Sequence, residues 1–263
     1  MPLRRGVICL LAGAAILFCA PPDASGAGIY QDYSRIAYFL IAPAELSVEG
    51  RAARVDGTDH EASIYTVTSL MPFRLFLFQL DLPYISVVRK DDIQDGFGDP
   101  VFRMRFTAWS GDSEAFYILA GVRAGSMPFL LSDETLFPYS SGTLDLSAGV
   151  AFVDTLASVT WWAAGVATFP SRVEDSLSVS GLYDEYTQFT AGVRVPIGEK
   201  LGVLAGAALY LPSGHSTRQI FFADLDWYYS RALGFFGYVQ VEGGSKDSRA
   251  ANYSAGVGTK ITF

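Results

Sequence analysis

Apolar and polar residues alternate along most of this chain with a period of two. Phe102, Met104, Phe106 and Ala108 alternate with Val101, Arg103, Arg105 and Thr107. In 116–123, Phe116, Ile118, Ala120 and Val122 oppose Tyr117, Leu119, Gly121 and Arg123. The same split recurs in 143–152, 186–195 and 232–242, where Asp145, Arg194, Gln240 and Glu242 stand on the less apolar side. The last segment places Tyr253, Ala255, Val257, Thr259, Ile261 and Phe263 opposite a small, polar side that carries Lys260. Successive side chains of a strand point to opposite faces, so each segment predicts a strand with one apolar face. Alternating segments of roughly ten residues, separated by turn signals, are the signature of a transmembrane β-barrel.

The predicted strands are 44–55, 61–70, 73–88, 99–110, 113–125, 143–153, 156–169, 185–196, 199–211, 218–229, 231–243 and 250–263. Twelve is an even number, as bacterial single-chain barrels have. Longer and shorter connections alternate, from 56–60 and 71–72 through 89–98 and 111–112 to 230 and 244–249. Outer-membrane barrels have longer extracellular loops and short periplasmic turns. If the first strand runs outward, every short connection and both termini are periplasmic. A chain closing on Phe263 also resembles bacterial outer-membrane proteins, in which a terminal Phe is part of the assembly signal. The expectation is an all-β, up-and-down antiparallel barrel over 44–263, held in outer-membrane lipid and assembled through its C-terminal strand.

Residues 1–27 read as a signal peptide. Arg4 and Arg5 precede an apolar run from Val7 to Ala20, and the small residues from Ala24 to Ala27 offer a cleavage site. The bulky Phe18 before Cys19 counts against lipidation. Both cysteines, Cys9 and Cys19, belong to this segment, so no disulfide or cysteine site is expected beyond it. Half of the residues are hydrophobic and 17% are charged, yet no stretch after the leader approaches the length of a helical span. The formal charge of the whole chain is −8, and losing Arg4, Arg5 and Asp23 makes it one unit more negative. That balance excludes nucleic acid, which is bound by a basic face. Residues 28–43 contain the apolar run Tyr38-Phe39-Leu40-Ile41 before Pro43. This segment could be a periplasmic lead-in, a piece tucked into the lumen, or a further strand. The lead-in is the reading favoured here.

The lumen lining is predicted to include Asp81, Arg103, Arg105, Arg123, Asp145, Arg194, Asp224, Asp226, Glu242 and Lys260, with Gln79, Gln188 and Gln240 between them. Charges at membrane depth pair or meet water, and they line pathways or zip strands together. Trp109, Trp161, Trp162, Trp227, Tyr228, Tyr229, Phe169 and Tyr210 cluster near strand ends and are expected to form interfacial girdles. Only two histidines exist, His60 and His215, both in predicted connections. A rim-active lipid hydrolase would need His215 beside a serine and an orienting group, and no complete triad is apparent. No metal or cofactor site is expected, since no two histidines share a face and no phosphate-cradling loop is present.

One stretch is more specific. Leu80-Asp81-Leu82-Pro83-Tyr84-Ile85 precedes a polar loop, and Gly96-Phe97-Gly98-Asp99-Pro100-Val101 opens the next strand. This resembles the outer-membrane transporter-like family named for the MetA pathway of phenol degradation, with its "Pro-Tyr" strand end and Gly-Leu-Gly-Asp signature. Pro83, Tyr84, Gly96, Gly98 and Asp99 carry the likeness, and Phe97 stands where Leu is usual. Asp99 is expected to bond its own backbone at a tight glycine turn. Residues 70–125 match well and the rest only in pattern; Ser126-Met127-Pro128-Phe129 replaces the usual Leu-Pro-Thr-Gly-like motif. The resemblance implies a barrel that takes up small molecules, hydrophobic or aromatic ones among them, and it transfers no catalytic residue. The functional expectation is a passive channel or carrier for a small-molecule solute. Loops 126–142 and 170–184 would form its cap. A rim hydrolase and a closed structural or adhesive barrel are the alternatives.

Overall fold

A computed structural model describes residues 37, 39–41, 44–55, 61–89, 92–124, 144–170, 185–213, 217–243 and 251–263. The predicted leader and both histidines lie outside the described residues. Strands β1 (Glu45–Val55), β2 (Glu61–Phe73) and β3 (Phe76–Arg89) are followed by a short β4 (Asp92–Phe97). Then come β5 (Val101–Ser110), β6 (Glu114–Ala124), β7 (Leu144–Leu156), β8 (Val159–Pro170) and β9 (Tyr186–Ile197). The last four are β10 (Leu201–Pro212), β11 (Arg218–Tyr228), β12 (Leu233–Gly243) and β13 (Ala251–Thr262). Chain neighbours pair antiparallel, β3 pairs with both β4 and β5, and β1 pairs with β13. Twelve strands thus close into a barrel, with β4 continuing β5 along the same edge of β3. Closure satisfies the strand edges internally, which a membrane demands.

The alternation in the sequence becomes an inside and an outside. Leu46, Val48, Phe102, Ile118, Val150, Phe189, Leu225, Val239 and Val257 are exposed around the outer wall. Their in-strand neighbours are buried on the inner face, among them Ser47, Leu119, Asp145, Gln188, Asp224, Gln240 and Lys260. So large an exposed apolar surface is stable in lipid and a liability in water. The short turns lie at the end of the barrel where Phe263 N donates to Ala44 O, at 3.2 Å.

Two expectations change. The predicted 89–98 loop is mostly strand, because Asp92–Phe97 returns along Tyr84–Arg89. Three residues, Gly98, Asp99 and Pro100, then face only Leu82 and Pro83 before pairing resumes at Asp81 and Val101. Pro83 and Pro100 both lie in this gap and lack an N–H to donate, so the ladder breaks there and one extra residue is accommodated. Gly98 N donates to Pro83 O at 3.0 Å, and Tyr84 packs edge-on against Phe97 while its hydroxyl donates to Asp95. The motif that carried the family resemblance is therefore an interrupted long strand and not a tight turn. The second change concerns the aromatics. Trp109, Phe169, Trp227 and Tyr229 are exposed, but Trp162 and Tyr210 are each only 1% exposed and fill the lumen.

Candidate functional site in the barrel lumen

A line of polar residues and a cluster of apolar ones both line the lumen. A single line of paired residues runs through Lys260 of β13, Ser47 of β1, Thr68 of β2 and Asp81 of β3. It continues through Val101 of β5 to Arg123 of β6 and Asp145 of β7. All but Val101 of these carry polar side chains. Because barrel strands are tilted, such a line climbs from one end of the barrel toward the other.

Charges on and near this line have close partners. Arg103 NH1 donates to Asp81 Oδ2 at 2.5 Å, and the same carboxylate accepts from Thr68 Oγ1 and Gln79 Nε2 at 2.7 and 2.9 Å. Arg123 Nε donates to Asp145 Oδ2 at 2.6 Å, and its NH2 pairs with the same oxygen. Near the short turns Lys260, 1% exposed, donates to Asp226 and lies 3.9 Å from Glu45 Oε2. Its Nζ stands 4.9 Å from the Tyr228 ring centroid. Arg194 NH2 is 3.6 Å from Asp226 Oδ2 and donates to the Tyr228 hydroxyl at 3.3 Å. Ion pairs of this kind avoid the several kcal/mol that an unpaired buried charge costs.

An apolar cluster lies among these polar residues. Ala151 and Val153 of β7, Trp162 and Ala164 of β8, Leu204 and Ala208 of β10, and Ile220 and Phe222 of β11 form one buried cluster. Ala37, Phe39 and Leu40 belong to it, with Ile41 packed against it, so this helical piece of the 28–43 segment occupies the barrel interior. Arg105 anchors the piece: its NH1 donates to Phe39 O at 2.8 Å and to Leu40 O at 2.5 Å. The guanidinium carbon sits 4.4 Å from the Tyr117 ring centroid.

Of the residues expected to line the lumen, Asp81, Asp145, Asp224, Asp226 and Lys260 are buried, and Arg103, Arg105, Arg123 and Arg194 are half-buried. The side chain of Glu242 lies outside the described residues, although its backbone pairs with Ile220. The structure adds Glu45, Glu49 and Arg51, all buried on the inner face of β1. Their alternation with Leu46, Val48 and Gly50 was available as a signal. The burial of Ala37, Phe39 and Leu40 left no such signal, since an apolar run beside a barrel reads equally as a lead-in.

Compared by sequence, the chain matches no family model and no curated protein. The MetA-pathway family name therefore rests on the residues quoted above and on nothing further. Compared by structure, it is similar to an outer membrane channel from Pseudomonas putida, at 10% identity and TM-score 0.63, covering 85% of this chain and 97% of that one. It is also similar to the NanC porin, at 9% identity and TM-score 0.59, covering 83% and 100%. A third similar structure is the CymD monoaromatic hydrocarbon channel, at 8% identity and TM-score 0.50, covering 91% and 94%. At these identities the likeness establishes the fold, which is that of outer-membrane barrels.

Proposed function

We propose that the protein is a non-enzymatic outer-membrane channel for small solutes, closed in this conformation by Phe39 and Leu40. The carrying observation is the polar wall, where Asp81, Arg103, Arg123 and Asp145 face the interior of a barrel clothed outside in apolar side chains. A barrel that served only as a structural plug would be filled most stably by apolar residues, because buried ion pairs gain little over them. A water-filled path beside the polar wall gives those charges a role in selecting solutes. In this reading the apolar outer surface sits in outer-membrane lipid, and assembly proceeds through β13 and Phe263. Both termini are periplasmic, and the solute is a small molecule, hydrophobic or aromatic ones included. A nucleic-acid partner has no place in it.

The packing of Phe39 and Leu40 favours one rival, a permanently closed barrel. Planar-bilayer recordings separate the two. The folded chain is compared with a Phe39→Ala/Leu40→Ala variant, which loosens the internal segment without touching the wall. Small or infrequent openings that become larger and steadier in the variant are expected. Silence from both proteins, each shown to be folded by heat-modifiable gel mobility, would overturn the channel reading in favour of the closed barrel.

A further inference from the structure

Arg105 differs from the other arginines and lysine whose ion pairs are described above. Arg103, Arg123, Arg194 and Lys260 each pair with a carboxylate. Among the described residues Arg105 pairs with none. Its NH1 is satisfied by two main-chain carbonyls, its face by the Tyr117 ring, and its buried Nε has no hydrogen-bond partner. Neutral carbonyls satisfy donors but leave the charge uncompensated, and an uncompensated charge away from water is costly. A carboxylate supplies two acceptor oxygens together with the missing charge, and it matches the guanidinium fork.

The groups beside Arg105 describe the rest of a ligand. Phe39 and Leu40, whose carbonyls Arg105 holds, belong to one apolar cluster with Leu77, Leu119, Val153 and Trp162. The segment therefore presents two oxygens to a cation and an apolar body to an apolar wall. We propose that this place is a binding site for small apolar carboxylates, such as aryl-alkanoates, and that Phe39 and Leu40 are a competing internal occupant. The ligand's carboxylate takes the position of the two carbonyls on Arg105, and its apolar body takes that of Phe39 and Leu40. The site deepens the channel reading by naming a solute class, and rests on that reading only for the solute's route.

The test is equilibrium binding of 4-phenylbutyrate and of its uncharged amide to the full chain in lipid nanodiscs, with empty discs subtracted. The carboxylate is expected to bind about tenfold more tightly than the amide, the size of a charge-assisted over a neutral hydrogen bond. Arg105→Gln should abolish that preference, and Arg105→Lys, which keeps the charge without the fork, should retain part of it. Loosening the segment with Phe39→Ala/Leu40→Ala should tighten carboxylate binding, and binding seen only in that variant would also support the site. Equal binding of acid and amide, a preference that survives Arg105→Gln, or no binding to any form would overturn it. Tighter binding absent from the loosened variant would overturn the competing role of the segment. Openings in the bilayer without carboxylate preference would remove the site and leave the channel; carboxylate-selective binding by a non-conducting protein would do the reverse.

Discussion

Tyr238 packs against Gly256, its direct partner on the next strand, so closely that a β-carbon at Gly256 would lie 2.6 Å from the tyrosine Cε1. The arrangement recurs inside the barrel, where Trp162 covers its partner Gly192 and Phe222 covers its partner Gly206. Large inward rings fit because the neighbouring strand contributes no side chain there. All three atoms nearest the would-be β-carbon of Gly256 belong to the Tyr238 side chain. Gly256→Val is therefore expected to destabilise the barrel by about 1–3 kcal/mol through overpacking. In a Tyr238→Ala background the same change should cost much less. Denaturant unfolding in lipid vesicles, arranged as a double-mutant cycle, reads the coupling; additive effects would mean that the ring is not what fills the space.

Lys260 is held between Asp226 and Glu45, with Arg194 also close to Asp226. Asp226→Asn should cost about 3 kcal/mol, because it leaves Lys260 buried with a weakened counter-charge. Adding Lys260→Met should recover much of that loss by removing the charge itself. The same unfolding assay checks both changes; a double variant no more stable than Asp226→Asn would show that the ion pair is not the source of the effect.

Val150 is 49% exposed at the middle of β7 and faces outward. Arginine at the midplane of a barrel's lipid face costs about 2–4 kcal/mol. Val150→Arg should lower stability in lipid by that amount. Ser147→Arg on the inner side of the same strand should not follow the bilayer-thickness dependence that Val150→Arg shows.

The β7–β8 turn has positive φ at two non-glycine residues, Ala157 at 49° and Ser158 at 74°. Leu156 pairs with Val159 across it, so this is a two-residue hairpin of the kind that prefers Asn-Gly. Ala157→Asn/Ser158→Gly should stabilise the barrel by about 1 kcal/mol by relieving left-handed strain. A shift of the unfolding midpoint to lower denaturant would contradict that assignment of the turn.

The strands were legible because strand periodicity is local. Whether Leu46 or Ser47 faces lipid depends on the neighbours along one strand, and alternation displays that directly. The ends of β4 were not legible. Asp92 and Asp95 read as part of a polar loop, and pairing along β3 overrode that composition. Trp162 and Tyr210 read as interfacial girdle residues because aromatics suit both places. Only their strand partners, Gly192 and Gln188, show that the space beside them lies within the barrel.

Barrel class, strand number and the polarity of each face were thus written in the order of residues, since each depends on a period of two and on turn chemistry. The pairing of Lys260 with Asp226, the bond from Arg105 to the backbone of residues 39 and 40, and the apolar cluster that gathers side chains from seven strands were not. The bond from Arg105 to Phe39 alone joins residues 66 positions apart, and all of these contacts exist only after twelve strands close around one lumen. A linear pattern records which way a side chain points; what it meets there is set by the curvature and closure of the sheet.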